Sequence, residues 1–207
     1  MAEIKILAIS GSARQQSTNT ALLMAMKELA PEGIELQVFH RLDTLPVFSP
    51  DLEGEKTPPD IVHFLQLVVA ADGIVISSPE YIRDIPGGLK NALDWMVSRS
   101  EIINKPVALI HASHRGDDML ASLRRVLATV SGGFRESPFL RIPLIGKSPD
   151  EIRSLSRQSE YRLQINRFLS EFAAVLPMPR DGEIRASLEN AGKASNAPEM
   201  ARIPQKL

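Results

Sequence analysis

Five short strand-like runs, each followed by a stretch with helical character, constrain this chain more than any other feature. The runs are Ile4–Ile9, Glu35–His40, Gly73–Ser77, Val107–His111 and roughly Phe139–Ile145. The stretches between and after them are Thr18–Ala30, Pro58–Ala71, Gly87–Arg99, Asp117–Val130 and Pro149–Leu176. Ile4–Ile9 and Val107–His111 are mostly apolar, and Gly73–Ser77 holds Ile74-Val75-Ile76, as expected of parallel strands covered on both faces. In the first helical stretch Ala21, Leu22, Ala25 and Leu29 recur at helical spacing, so one face is buried. Strict alternation of strand and helix predicts a doubly wound α/β sandwich.

At 207 residues and 43% hydrophobic, the chain supports one sizeable core and is short for two. Residues 1–177 are expected to form that single domain. Leu42–Pro59, with Pro46, Pro50, Pro58 and Pro59, reads as a long loop. Met178–Leu207 is poor in large apolar residues and carries Pro179, Gly182, Gly192, Pro198 and Pro204. That composition predicts a polar tail, either disordered or laid as an arm on the body or a second subunit. The formal net charge of −1 gives no reason to expect nucleic acid or an anionic membrane as partner. There is no cysteine, which excludes thiolate metal sites and a cysteine nucleophile and suits a reducing compartment. No apolar stretch approaches the roughly 20 residues of a membrane span, and Met1-Ala2-Glu3 leads straight into a strand. The expectation is a cytoplasmic protein.

Open parallel sheets bind ligands at the carboxyl ends of their strands, where strand order reverses. With the order 2-1-3-4-5 the reversal lies between the first and third strands. The loop leaving the first is Gly11-Ser12-Ala13-Arg14-Gln15-Gln16-Ser17-Thr18-Asn19-Thr20. Its hydroxyls (Ser12, Ser17, Thr18, Thr20), Asn19 and Arg14 suit a phosphate monoester at a helix N-terminus. It has neither the Gly-Lys-Ser/Thr ending of an NTPase loop nor the three spaced glycines of a dinucleotide fingerprint. Ser17, Thr18 and Asn19 equally suit helix capping. The loop leaving the third strand, Ser77–Trp95, carries Pro79-Glu80-Tyr81 and then Pro86-Gly87-Gly88 at the start of a helix. Glycine there lets backbone approach a flat ring.

Gly11-Ser12-x-Arg14-x-x-Ser17-x-Asn19, followed by Pro79-Glu80-Tyr81 and Pro86-Gly87-Gly88-Leu89-Lys90-Asn91-Ala92-Leu93-Asp94-Trp95, resembles the NADPH-dependent FMN reductase family. The resemblance runs from about Ile4 to Gly133. It implies a flavodoxin-like fold: a five-stranded parallel sheet, order 2-1-3-4-5, helices on both faces. It implies that Ser12, Arg14, Ser17 and Asn19, with Thr18 beside them, hold the FMN phosphate, and that Pro79, Glu80 and Tyr81 pass along the isoalloxazine. By the same resemblance Ser113, His114, Arg115 and Gly116 approach the flavin from the loop after strand four. Two positions depart from the family's pattern. Ile82 stands where Asn commonly follows Glu-Tyr, and Ser113–Gly116 replaces a Gly-Gly-Ala-Arg-like stretch.

The residues also have plain structural readings. Tyr81 suits a packed loop aromatic, Asn91 a tie between loop and core, and Trp95 the core or a subunit interface. His111 and His114 straddle the fourth loop without a third ligand for zinc. His114 reads as an exposed histidine or as a proton donor to a reduced quinone; Arg124 and Arg125 read as solvated or as a 2′-phosphate site. The Asp117-Asp118 pair starts a helix. No side chain is expected to be an obligatory acid, base or nucleophile, because the flavin carries the chemistry. The expected function is an FMN-dependent oxidoreductase. It takes electrons from NADPH or NADH to a quinone, azo compound, metal oxyanion or free flavin, and works as a homodimer or homotetramer. The alternatives are a non-enzymatic flavodoxin-type electron carrier and a flavin-binding sensor.

Overall fold

The computed structural model describes residues 3–177. The expected tail at 178–207 therefore lies outside the described residues. Strands β1 (Ile4–Ser10), β2 (Ile34–Phe39), β3 (Gly73–Ser77), β4 (Val107–His111) and β5 (Phe134–Arg141) form one parallel sheet in the order β2-β1-β3-β4-β5. The expected architecture and strand order are therefore present. Between and after the strands run α1 (Thr18–Glu28), α2 (Pro59–Ala70), α3 (Gly87–Asp94), α4 (Asp117–Val130), α5 (Pro149–Ser156) and α6 (Ser159–Ala174).

The period-two alternation of each strand sorts its residues into two cores. Leu7, Ile9, Ile74, Ile76 and Leu109 face the layer that supplies Phe64 from α2, Leu93 from α3 and Leu123 from α4. Ile6, Ala8, Val75, Ala108 and Ile110 face the layer that supplies Leu22 and Met26 from α1, Ile152 from α5 and Phe168 from α6. All five residues of β3 and of β4 are buried, which explains why these two runs have the sharpest boundaries in the sequence.

Three elements differ from expectation. β5 begins at Phe134, not near Phe139, and its register against β4 slips between the Val107–Phe134 and Leu109–Phe139 pairs. The slip accommodates Arg135-Glu136-Ser137, which are exposed on an edge strand where apolar periodicity has no reason to exist. The final helical stretch is two helices, because Gln158 is extended and breaks the chain between α5 and α6. Finally, α3 ends at Asp94, and Trp95–Arg99 tighten into three-residue turns.

The Leu42–Pro59 loop is held firmly. It contains short 3-10 turns at Leu42–Thr44, Pro50–Leu52 and Gly54–Lys56. Asn91 accepts a hydrogen bond from the Phe48 N–H at 2.8 Å and donates to the Pro46 carbonyl at 3.0 Å. The Trp95 indole N–H donates to the same carbonyl at 2.8 Å, and its ring meets Phe48 edge-on at 5.0 Å. Trp95 is fully buried. Both residues are thus anchors of the loop: Asn91 is the tie of its plain reading, and Trp95 is in the core, as one of its plain readings had it.

A candidate cofactor site at the carboxyl ends of β1, β3 and β4

The β1–α1 loop folds against the end of β3. The Gly11 N–H donates to the Ser77 carbonyl at 2.8 Å, and a Cβ on Gly11 would stand 2.7 Å from the Ser78 Cβ. Only glycine allows that approach. Ser12, Ser17 and Asn19 are all buried. The Ser12 hydroxyl accepts from the Arg14 N–H at 3.2 Å, closing a small turn. Ser17 caps α1, its hydroxyl accepting from the Thr20 N–H at 3.3 Å, and the Ser10 and Thr20 hydroxyls are bonded at 2.8 Å. Asn19 accepts from the Ser77 hydroxyl at 2.8 Å, tying the first turn of α1 to β3.

Capping and anion binding are therefore compatible here, since the caps shape the turn and leave other donors open. The charge pattern distinguishes α1 and α3 from the remaining helices. α2, α4, α5 and α6 each carry acidic residues in their first turn, whereas α1 and α3 carry none. Those two helices start from the loops at the switch point, so their positive ends are left uncompensated there. Arg14 is exposed, and among the described residues its guanidinium has no hydrogen bond or ion pair. A cation, buried hydroxyls and an acid-free helix N-terminus together are a donor set that fits a phosphate monoester.

The β3–α3 loop makes a tight two-residue turn. Tyr81 and Asp84 exchange backbone hydrogen bonds at 3.1 and 3.0 Å across Ile82 and Arg83, whose φ angles are 51° and 60°. Two successive left-handed residues define a type I′ geometry, which favours Asn and Gly and disfavours a β-branched side chain. Ile82 occupies the first such position and is 100% exposed. Ile82→Asn is therefore expected to raise stability by about 1 kcal/mol, read as a higher Tm. An unchanged or lower Tm would remove strain as the description of this turn.

Pro79 and Glu80 are half-buried and Tyr81 is half-exposed, all on one side of the turn. The Glu80 carboxylate accepts from the Met119 N–H at 3.0 Å, and Arg83 pairs with Asp118 at 2.6 Å. Both bonds join this loop to the first turn of α4. Nothing in the Glu80 position alone announces that role, because its partner is 39 residues away.

In the β4–α4 loop the Ser113 hydroxyl accepts from the Arg115 N–H at 2.9 Å, while His114 and Arg115 point into solvent. Gly116 has a φ of 98°, and a Cβ there would lie 2.9 Å from the His111 ring and 3.5 Å from the Glu80 Cβ. His111 is buried, and its Nε2 meets the Arg115 carbonyl. Burial is the main influence holding the His111 pKa below its ordinary value. The Arg115 carbonyl opposes that shift, Arg141 reinforces it, and Asp117 and Glu80 oppose it weakly. The folded protein thus takes up this proton at lower pH than the unfolded chain, so the contribution to stability is present above pH 6.5 and shrinks as pH falls. In denaturation experiments from pH 7.5 down to 5.5, wild-type protein is expected to lose stability faster than His111→Gln. A parallel pair of profiles would contradict this.

The three loops thus converge, the first joined to the second through Gly11, Ser77 and Ser78, and the second to the third through Glu80. Of the positions named from sequence, Ser12, Arg14, Ser17, Pro79, Glu80, Tyr81, Ser113, His114 and Gly116 lie on them, and Thr18 and Asn19 lie in the first turn of α1 beside the first loop. Sequence reading missed Ser10 and Ser77 as ties. Their signal was a hydroxyl closing an otherwise apolar strand, a place where a hydrocarbon would be expected.

An α/β sheet of this order with a hydroxyl-lined loop at its switch point defines a flavodoxin-like protein. Residues 4–140 match the NADPH-dependent FMN reductase family, and the chain belongs to that family. It is 34% identical over 113 residues to an NAD(P)H-dependent FMN reductase of Pseudomonas aeruginosa, covering 54% of this chain and 60% of the relative. It is 32% identical over 117 residues to a quinone reductase of Escherichia coli, covering 55% of this chain and 62% of the relative. Over 146 residues it is 32% identical to a subunit of an NADH:(hydroxy)cinnamate reductase of Vibrio ruber, 69% of this chain and 71% of the relative. In the first matched relatives the chain spans about half to three fifths of the relative's length. A flavoenzyme NAD(P)H:(acceptor) oxidoreductase from Paracoccus denitrificans shares the fold, with a TM-score of 0.68 at 22% identity, over 84% of this chain and all of the other.

Proposed function

We propose that this protein is an FMN-dependent NAD(P)H oxidoreductase that passes electrons to a quinone, azo compound, metal oxyanion or free flavin. The observation that carries the reading is Arg14, without a side-chain partner among the described residues, beside the buried Ser12 and Ser17 hydroxyls at the acid-free N-terminus of α1. Membership of the family and the activities of the quinone and FMN reductase relatives support it over a carrier or a sensor.

In this reading Ser12, Arg14, Ser17, Thr18 and Asn19 hold the phosphate of FMN. Arg14 neutralises the dianion while the hydroxyls and free N–H groups of α1 fix its orientation. Pro79, Glu80 and Tyr81 would pass along the isoalloxazine, largely through backbone, and Ser113, His114 and Gly116 would approach it from the loop after β4. Bound FMN supplies hydride and electron transfer between the nicotinamide and the acceptor. Glu80 keeps the second and third loops in register by capping α4, so the ring pocket is set by that carboxylate without its touching the reaction. Half-exposed Tyr81 would contact the ring, and exposed His114 would face a reduced acceptor as a proton donor. No side chain is needed as nucleophile.

Residues 3–177 act as one FMN-binding domain. A homodimer or homotetramer in the cytoplasm suits a site built on open loops and a chain without cysteine. NADPH is the expected donor from the family name, with NADH as the alternative. The test is spectroscopic. Purified protein titrated with FMN should acquire the visible flavin bands, and anaerobic NADPH or NADH should bleach them. Protein that stays colourless and takes up no FMN would refute the reading.

A further inference from the structure

His111 ends β4 with its imidazole beneath the Ser113–Gly116 turn and almost no exposed surface. Its Nε2 faces the Arg115 carbonyl, which accepts hydrogen bonds only, so Nε2 carries the proton. Nδ1 is buried and has no hydrogen-bond partner among the described residues. One ring nitrogen is thus a committed donor and the other a bare lone pair, which assigns the neutral Nε2–H tautomer. The charged and titratable groups that face the ring are Glu80 from the β3–α3 loop, Asp117 at the start of α4 and Arg141 at the end of β5.

The peptide between Arg115 and Gly116 is trans, so its carbonyl and its N–H point in opposite directions. With the carbonyl drawn toward His111, the Gly116 N–H is directed away from the buried ring. Among the described residues that N–H has no acceptor. Gly116 allows the arrangement because its φ of 98° is open to glycine and because a Cβ would strike the imidazole. The turn is clamped on its other side by the Glu80–Met119 bond.

We infer that His111 is a positioning residue: its Nε2–H pins the Arg115 carbonyl inward and thereby presents the Gly116 N–H as a fixed donor toward the flavin ring. This rests on the reading that the Ser113–Gly116 loop faces FMN. A donor fixed there favours the reduced cofactor, because the reduced ring carries more negative charge than the oxidised one. His111 acts through the backbone and touches no reacting atom.

The test compares His111→Gln, His111→Asn and His111→Leu with wild type. A glutamine amide nitrogen falls near the position of Nε2, and an asparagine amide nitrogen near that of Nδ1, so only glutamine restores the bond to Arg115. Dissociation constants for oxidised and for reduced FMN are measured for each protein, alongside Tm. His111→Gln should keep the ratio of the two constants within about twofold of wild type. His111→Asn and His111→Leu should lose about tenfold of the preference for reduced FMN, equal to about 30 mV on a two-electron couple. Equal ratios in all four proteins, or equal losses in the Gln and Asn variants, would overturn the inference. If the variants do not fold, wild-type protein decides it, because the Gly116 amide ¹⁵N resonance should shift when bound FMN is reduced and an unmoved resonance would overturn the assignment. Should wild type bind no FMN, the proposed function fails instead. The latch is then still tested by long-range ¹⁵N spectra of His111, which should report the Nε2–H tautomer.

Discussion

Arg14→Ala is expected to weaken FMN binding by about 100-fold while leaving Tm close to that of wild type. A charge-assisted hydrogen bond to phosphate contributes about 1.5–3 kcal/mol, which corresponds to roughly 10- to 150-fold in a dissociation constant. The structure provides the clean background for that measurement. Arg14 is exposed and makes no ion pair or side-chain hydrogen bond among the described residues, so its removal costs the fold little. Arg14→Lys should recover part of the affinity, since it keeps the charge and loses the planar fork. Riboflavin, which lacks the phosphate, should bind wild type and Arg14→Ala alike. Equal FMN affinity in the two proteins would place the phosphate elsewhere.

Trp95→Ala should have the largest effect on stability, a loss of about 3–5 kcal/mol and a fall in Tm on the order of 10 °C. The indole is fully buried and sits where α3, Phe48 and the Pro46 carbonyl meet. Removing it opens a cavity and leaves that carbonyl with only the Asn91 amide as donor. The Leu42–Pro59 loop should then become more sensitive to limited proteolysis than the rest of the domain. Trp95→Phe separates the two contributions, keeping most of the packing and losing only the indole N–H, for about 1 kcal/mol from the bond. A Trp95→Ala protein with wild-type Tm and an uncut loop would show that the anchor is elsewhere.

Both predictions concern residues that the sequence singles out, and the structure gives them different work. Trp95 and Asn91 stand in the same motif as Pro86-Gly87-Gly88, yet they hold a loop rather than line a site. Their partners, Pro46 and Phe48, lie more than forty positions away, so no local pattern can reveal the pairing. Glu80 is similar. Adjacent to Tyr81 in sequence, it spends its carboxylate on the N-terminus of α4. The hydroxyl loop was more legible, because caps, turn and the proposed phosphate donors all draw on residues within ten positions of one another.

Strand boundaries follow the same logic. β3 and β4 are readable because burial on both faces demands continuous apolar residues. β5 is not, since an edge strand with an irregular register admits Arg135 and Glu136 without cost to either core. The break at Gln158 was likewise hidden within a stretch of broadly helical composition.

What the sequence determined by itself was the order of strands and helices, the two-sided sheet and the chemistry available at the first loop, because each depends on residues that are neighbours in the chain. The tertiary structure alone decided how the three loops are joined. Gly11 against Ser78 and Glu80 against Met119 bring separate strand ends to one place. Such contacts come from the packing of the sheet, whose register is set by the whole core rather than by any one segment.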